Sequence, residues 1–263
     1  MRVVTFLSDY GLADDFVGVC HGVIARIAPH ARVLDITHGI ARHDVLAGAL
    51  VLRRALAFMP AGVHLAVVDP GVGSARRAVA LRCVSEARFL VGPDNGLLML
   101  AAERFGGVAE AVDVGASPFA LNLLSASFHG RDVLAPVAAH LALGAPLARA
   151  GSPLNPAELV VLDLPRAEVS DGVLVAHVLH ADGYGNVLLD AEDLGAIGLH
   201  AGDAVTVNGV AAVYAATFAD VAPGALLLYA DSDGVPSLAV NRGSAMDALR
   251  LDAGARVEIA RSA

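Results

Sequence analysis

Residues able to do chemistry stand where apolar runs stop. Asp9 follows RVVTFLS and opens SDYGLADD. A carboxylate there could accept both hydroxyls of a ribose diol, share a hard cation with Asp14 and Asp15, or cap the helix that follows. Asp69 ends VHLAVVD, and Pro-Gly-Val-Gly-Ser then leads to Arg76 and Arg77. Gly71 and Gly73 permit a sharp turn or a close backbone approach. A phosphate-cradling Walker loop would need Gly-Lys-Ser/Thr running straight into a helix. No lysine follows, and RRAVALRC reads as strand, which leaves a turn carrying an Asp–Arg pair. GPDNGLL repeats the pattern, with Asp94 as a candidate helix cap beside Asn95. SFHGRD sets His129 between Phe128 and Gly130 at the head of a helical VLAPVAAHLAL. HADGYGNV sets Asp182 and Asn186 around Tyr184 and two glycines, and DSDGVPSLAVNRGSA carries Ser232, Asn241 and Gly243; hairpin chemistry accounts for both.

The elements that must position these residues fall into two groups. RVVTFLS, ARVLDIT, VHLAVVD, AVALRC and ARFLVGP read as strands. DDFVGVCHGVIARIA, DVLAGALVLRRALAFM and NGLLMLAAERFG read as helices, with Asp14 or Asp15 capping the first. Near-continuous apolar strands alternating with helices predict an α/β N-terminal domain with a mainly parallel central sheet, over residues 1–155. In such a sheet ligands gather at the carboxyl ends of the strands, where the acids lie. GSPLNPAELVVLDLP has three prolines and no helical period, and residues 156–165 read as linker. GVLVAHVLHAD, GNVLLD, AVTVNG, ALLLYAD, SLAVNRG and ARVEIA then follow at turn spacing, predicting a smaller all-β barrel C-terminal domain over 166–263.

Composition narrows the function class. The 263-residue chain carries a formal net charge of −9, against the basic stripe a nucleic-acid surface needs. No window supplies the roughly 20 clean apolar residues of a membrane span. Asp9 and the Asp14–Asp15 pair cut short the apolar start, so no signal peptide and a cytoplasmic location are expected. Cys20 and Cys83 fit no metal spacing and read as buried small hydrophobes. His21, His30, His64, His140, His177 and His200 show no HExxH-like spacing and are assigned no role.

Taken in order, SDYGxxDDF, ITHGI, VVDPGVGSARR, GPDNGLL, SFHGRD, DGYGN and AVNRGSA resemble the S-adenosylmethionine (SAM) hydroxide adenosyltransferases. These SAM hydrolases are relatives of the halide-using fluorinases and chlorinases. The resemblance covers nearly the whole chain. It implies an α/β domain followed by a β-barrel, and SAM as substrate rather than cofactor. It also implies a homotrimer whose ligand lies between the N-domain of one subunit and the C-domain of the next. The family's water-holding Asp–Arg–His set falls on Asp69, Arg76 and His129. Asp9 matches the ribose-binding aspartate and Asp14 a second acid near the ligand. Asn95 and Phe128 fall within matched motifs and are expected to face substrate. Asp182 and Asn186 match groups contacting the methionine amine and nucleoside, and Tyr184 a stacking aromatic. Ser232 matches a methionine-carboxylate ligand, and Asn241 and Gly243 the adenine-edge backbone site. An aspartate at position 69, where halogenating relatives carry an aromatic hydroxyl, favours water over halide as nucleophile. A halide-dependent transferase and a non-catalytic SAM or adenosine binder are the alternatives.

Overall fold

The computed structural model describes residues 3–122, 125–191 and 194–262. The chain divides into two compact units, Met1–Leu162 and Asp163–Ala263. The first contains β1 (Val3–Ser8), α1 (Phe16–Ile27), β2 (Arg32–Thr37), α2 (Val45–Leu56), β3 (Gly62–Val67), β4 (Ala78–Cys83), β5 (Phe89–Pro93), α3 (Met99–Arg104), β6 (Val108–Asp113), α4 (Ala135–Ala142) and β7 (Ser152–Leu154). A π-helical turn, Gly130–Leu134, leads directly into α4.

The strands run in the order β2-β1-β3-β5-β4-β6-β7. The β2-β1-β3-β5 pairings are parallel, and the pairings of β4 with β5 and β6, and of β6 with β7, are antiparallel. The parallel part follows from apolar runs with no polar face: every residue of β3 is buried. The chain moves from β1 to one side for β2 and returns past β1 for β3. Right-handed crossovers in opposite directions set α1 and α2 on opposite faces. Accordingly, α1 packs with α4 and α2 with α3. On α1, Val17, Cys20 and Ile24 form the buried stripe. The reversal between β1 and β3 is a topological switch point, and sheets of this kind bind ligands in the crevice at the carboxyl ends of such strands.

Several sequence readings change. Ser152–Leu154, in a proline-rich stretch where no strand is predicted, pairs with β6 as an edge strand, where Pro153 is tolerated. The VAEAVD strand, β6, was hidden by alanine and glutamate, which are poor strand formers. Neither aspartate caps α1: its N-cap residue Asp15 has helical φ/ψ and makes no side-chain cap. Asp94 is not a cap either, because α3 begins after Leu98.

The second unit contains β8 (Glu168–Ser170), β9 (Val173–Ala181), β10 (Val187–Leu189), β11 (Ala204–Val207), β12 (Val210–Tyr214), β13 (Leu226–Ala230), β14 (Pro236–Val240), α5 (Ala245–Ala248) and β15 (Arg256–Arg261). Its order is β10-β14-β13-β12-β11-β15-β9, and β9 also pairs with β10, closing a barrel onto which β8 adds. Alternating Leu174, Ala176 and Val178 of β9 point into the core, as a half-buried strand requires. The β11–β12 hairpin turns through Asn208-Gly209, both at positive φ, the signal of a tight two-residue turn. Closure leaves the barrel strands paired on both sides.

Candidate active site

Ser8 and Val67 are register partners at the ends of β1 and β3, and Asp9 donates its amide to the Val67 carbonyl at 3.3 Å. Asp9 and Asp69 thus leave adjacent parallel strands at the switch point. Beyond Asp69 the chain folds sharply: Val72 N–H donates to Asp69 O at 3.3 Å, and Ser74 Oγ–H to Gly71 O at 2.7 Å. Ser74 Oγ in turn accepts the Arg76 amide at 3.2 Å. Gly73 has φ +80°, and a Cβ there would lie 2.9 Å from the Ala126 carbonyl oxygen, so the loop needs glycine at this position.

The turn delivers Arg76 back onto Asp69. Nε donates to Asp69 Oδ1 at 2.9 Å and Nη2 to Oδ2, a two-pronged pair whose side chains are 10% and 7% exposed. Nη2 also lies 3.2 Å from His129 Nδ1. A guanidinium only donates, so Nδ1 holds the acceptor lone pair and the neutral ring carries its proton on Nε2. Burial, and secondarily the Arg76 charge, hold the His129 pKa below the ordinary histidine value, which favours that neutral form. The Arg76 Nη1 is buried and has no acceptor among the described residues. The cluster therefore offers a fixed carboxylate, a fixed imidazole N–H and an orphaned guanidinium N–H.

The adjacent arginine goes elsewhere. Arg77 Nε donates to Asp94 Oδ2 at 2.8 Å, and Nη2 donates to the Glu158 carbonyl. Asp94 Oδ1 accepts the Val160 amide at 2.9 Å, so this second pair pins the 156–162 segment. Asn95 spends its amide on backbone, donating to Val68 O at 2.9 Å and accepting from Leu97 N at 3.2 Å. It fixes the stretch just before Asp69.

Two residues of the site had no assigned role in the sequence. Tyr10 packs edge-on to Phe16 and Phe128, at 5.8 Å between ring centroids in each case. Burial first, then Cys20, Asp9 and Asp69, push its phenol pKa up, so it stays protonated. Gly130 makes room for it: a Cβ there would fall 2.1 Å from Tyr10 Oη. The signal available was position alone, since Tyr10 follows Asp9 and Gly130 follows His129. Arg131 lies over the Phe128 ring at 4.7 Å and donates to buried Asp132 at 2.6 Å, which stabilises the start of the π turn. Asp9 Oδ2 accepts the amide of His43, itself at φ +68°, at 2.9 Å, while Asp14 is exposed.

In the barrel unit, two motifs far apart in sequence meet. Asp182 Oδ1 accepts the Tyr184 and Asn186 amides at 2.8 and 3.0 Å, and Oδ2 accepts Asn186 Nδ2 at 2.8 Å. This fixes the β9–β10 turn and leaves Tyr184 83% exposed. Gly185 abuts Ser244, whose Oγ would lie 2.2 Å from an added Cβ, and the Ala245 and Met246 amides donate to Gly185 O. Asn241 Nδ2 donates to Val221 O at 2.8 Å, and Gly243 N–H to Val240 O at 3.0 Å, shaping the Asn-Arg-Gly turn next to it. Ser232 is exposed in the β13–β14 turn. No helix among the described residues is long and apolar enough to cross a membrane.

Two family models match the chain. The SAM hydroxide adenosyltransferase N-terminal domain matches residues 4–151, and the corresponding C-terminal domain matches residues 176–258. The (R)-S-adenosyl-L-methionine hydrolase of Salinispora arenicola is 48% identical over 256 residues, covering 97% of each chain. A fluorinase of Nocardia brasiliensis is 29% identical over 290 residues, covering 98% of this chain and 96% of its own. A crystal structure of a conserved protein from Thermotoga maritima superposes with a TM-score of 0.90 at 37% identity, covering 98% of this chain and all of the other.

Proposed function

The chain belongs to the SAM hydroxide adenosyltransferase family, and from that premise we propose that it hydrolyses (R)-S-adenosyl-L-methionine to adenosine and L-methionine. The observation that carries this reading is the Asp69–Arg76–His129 cluster, gathered just beyond the carboxyl end of β3 where β3 lies parallel to β1. Water attacks C5′ of the ribose in line with sulfur. The C5′–O bond forms, the C5′–S bond breaks with its electron pair going to sulfur, and the water gives up a proton. Methionine departs as a neutral thioether, so no general acid is required, and no metal or cofactor has a task in the step. The difficulty is the nucleophile, because water has a pKa of roughly 15.7.

Asp69 is the proton acceptor in this scheme. Arg76 takes one lone pair of each carboxylate oxygen and leaves others for water. His129, protonated on Nε2, donates to the water oxygen and orients it. Holding the water in line supplies several kcal/mol through orientation, and the carboxylate about 10²–10⁴-fold more through proton acceptance.

Around that centre, Asp9 accepts the ribose hydroxyls, with Asp14 as a second acid near the cationic substrate. Phe128 and Tyr184 provide aromatic contact, and Asn95 holds the wall behind Asp69. Asp182, with Asn186, receives the α-ammonium; Ser232 receives the carboxylate; the Asn241–Gly243 backbone reads the adenine edge. We assign a cytoplasmic homotrimer in which a neighbouring subunit's barrel unit supplies the methionine and adenine contacts. The test is turnover of SAM in 18O-labelled water with excess chloride and fluoride present. Labelled adenosine is expected. A 5′-halo-adenosine as main product, or adenosine without label, overturns the assignment.

A further inference from the structure

Away from the Arg76 cluster, His21, Asp35 and His38 bring one ligand atom each into a single group, all within 4.8 Å of one another. We propose that these residues form a binding site for a divalent first-row transition metal of the zinc type, through His21 Nε2, Asp35 Oδ1 and His38 Nε2. Two edges of the triangle are already short: His21 Nε2 is 2.8 Å and His38 Nε2 3.2 Å from Asp35 Oδ1. A metal with bonds of about 2.0–2.2 Å to nitrogen and oxygen spans neighbouring ligands about 3 Å apart. The third edge, within 4.8 Å, closes by a small shift of His21, whose side chain is 36% exposed.

The second observation is His38 itself. Its side chain is 3% exposed, and its buried Nε2 makes no hydrogen bond: Asp35 Oδ1 is near but off the hydrogen-bond axis. A buried polar nitrogen left in that state costs about 1–3 kcal/mol. Nδ1, the other ring nitrogen, lies 2.8 Å from Ser8 Oγ, which is fully buried. In the tautomer that donates Nδ1–H to Ser8, Nε2 holds a lone pair 3.2 Å from Asp35 Oδ1 but directed to one side of it. Two such acceptors repel, and a cation on the lone-pair axis, within reach of the carboxylate, turns the repulsion into ligation. A ligating histidine held through its other nitrogen by a buried partner is the usual support of such a site. Two imidazoles and one carboxylate suit zinc and its neighbours rather than magnesium or calcium. The exposed side leaves positions for water.

The site would join α1 to the end of β2, and through His38 to the end of β1. His38 O accepts the Gly11 amide at 2.8 Å, and Ser8 directly precedes Asp9. A bound metal would therefore stiffen the strand end that carries Asp9 without touching substrate. The signal was missed because the ligands come from two elements in a spacing unlike HExxH.

The experiment titrates the metal-stripped full chain with Zn2+ by calorimetry and with Co2+ by visible absorption. The parent is expected to bind one ion per chain, with Co2+ bands of a low-coordinate nitrogen–oxygen site. His21→Ala, at a half-exposed position, and Asp35→Asn are each expected to weaken Zn2+ binding at least about 10-fold. His30→Ala, exposed and outside the cluster, is expected to leave it unchanged. Absence of stoichiometric binding overturns the proposal. So does a loss under about twofold in both ligand variants, or an equal loss in His30→Ala.

Discussion

Asparagine at position 69 keeps the shape of the side chain and removes its charge. Arg76 donates to both carboxylate oxygens within a pair that is 10% and 7% exposed. One terminal atom of asparagine is an NH2 group, which cannot accept, so one prong becomes donor against donor. Two unit charges about 4 Å apart are worth about 4 kcal/mol at an effective dielectric near 20. Relief of the carboxylate's desolvation offsets part of that, leaving a stability loss of about 2–3 kcal/mol. The catalytic loss is separate: removing a positioned proton acceptor should lower kcat by about 10²–10⁴-fold, or about 3–5 kcal/mol of barrier. Asp94→Asn is the matched comparison. Asp94 is 3% exposed and also pairs with an arginine, so it should lose similar stability and keep its kcat. The assay is methionine release at a temperature where both variants are folded, beside thermal melts. If Asp69→Asn keeps kcat within about threefold of the parent, or falls no further than Asp94→Asn, the proton-acceptor role is wrong.

Other consequences are open to measurement. Gly130→Ala puts a methyl group 2.1 Å from Tyr10 Oη and should cost about 1–3 kcal/mol in thermal unfolding; combining it with Tyr10→Phe should recover part of the loss. His64 is fully buried between Thr5 and Arg88, and burial followed by the Arg88 charge lowers its pKa to about 3. The unfolded chain then binds the proton first, so stability should decline as pH falls from about 6.5 toward that value. His64→Asn should flatten this part of the pH–stability curve. Mixing inactive Asp69→Ala and Asp182→Ala subunits should restore about one quarter of parent activity if each site takes one unit from each of two subunits of a closed ring. No recovery after verified subunit exchange would locate each site within one chain.

The strand ends were the legible part of the site. An unbroken apolar run stopping at Asp69, followed by Gly-Val-Gly, announced both the buried β3 and a turn sharp enough to return Arg76. His129 was not legible from such local signals, because it stands 53 residues from its partner Arg76 and only the ordered motifs linked the two. Nothing local separated Arg76 from Arg77, although one faces the crevice and the other Asp94. β6 escaped because alanine and glutamate carry little strand preference, and β12 because its hairpin partner was read only as far as the Asn-Gly turn. Asp94 looked like a cap because it precedes a helix, yet its tertiary partners are an arginine and a distant amide.

The two neighbouring arginines make loop length a shared constraint. Successive side chains entering a strand face opposite ways. Losing or gaining one residue between Asp69 and β4 would present the second arginine to the crevice and the first to Asp94, or neither to either. A change of length in this short loop thus disturbs the Asp69–Arg76 pair and the anchor of the 156–162 segment together. Substitutions can test the two separately; insertions and deletions cannot. The loop works as a ruler, and its seven-residue reach from Asp69 to Arg76 keeps chemistry and architecture in phase.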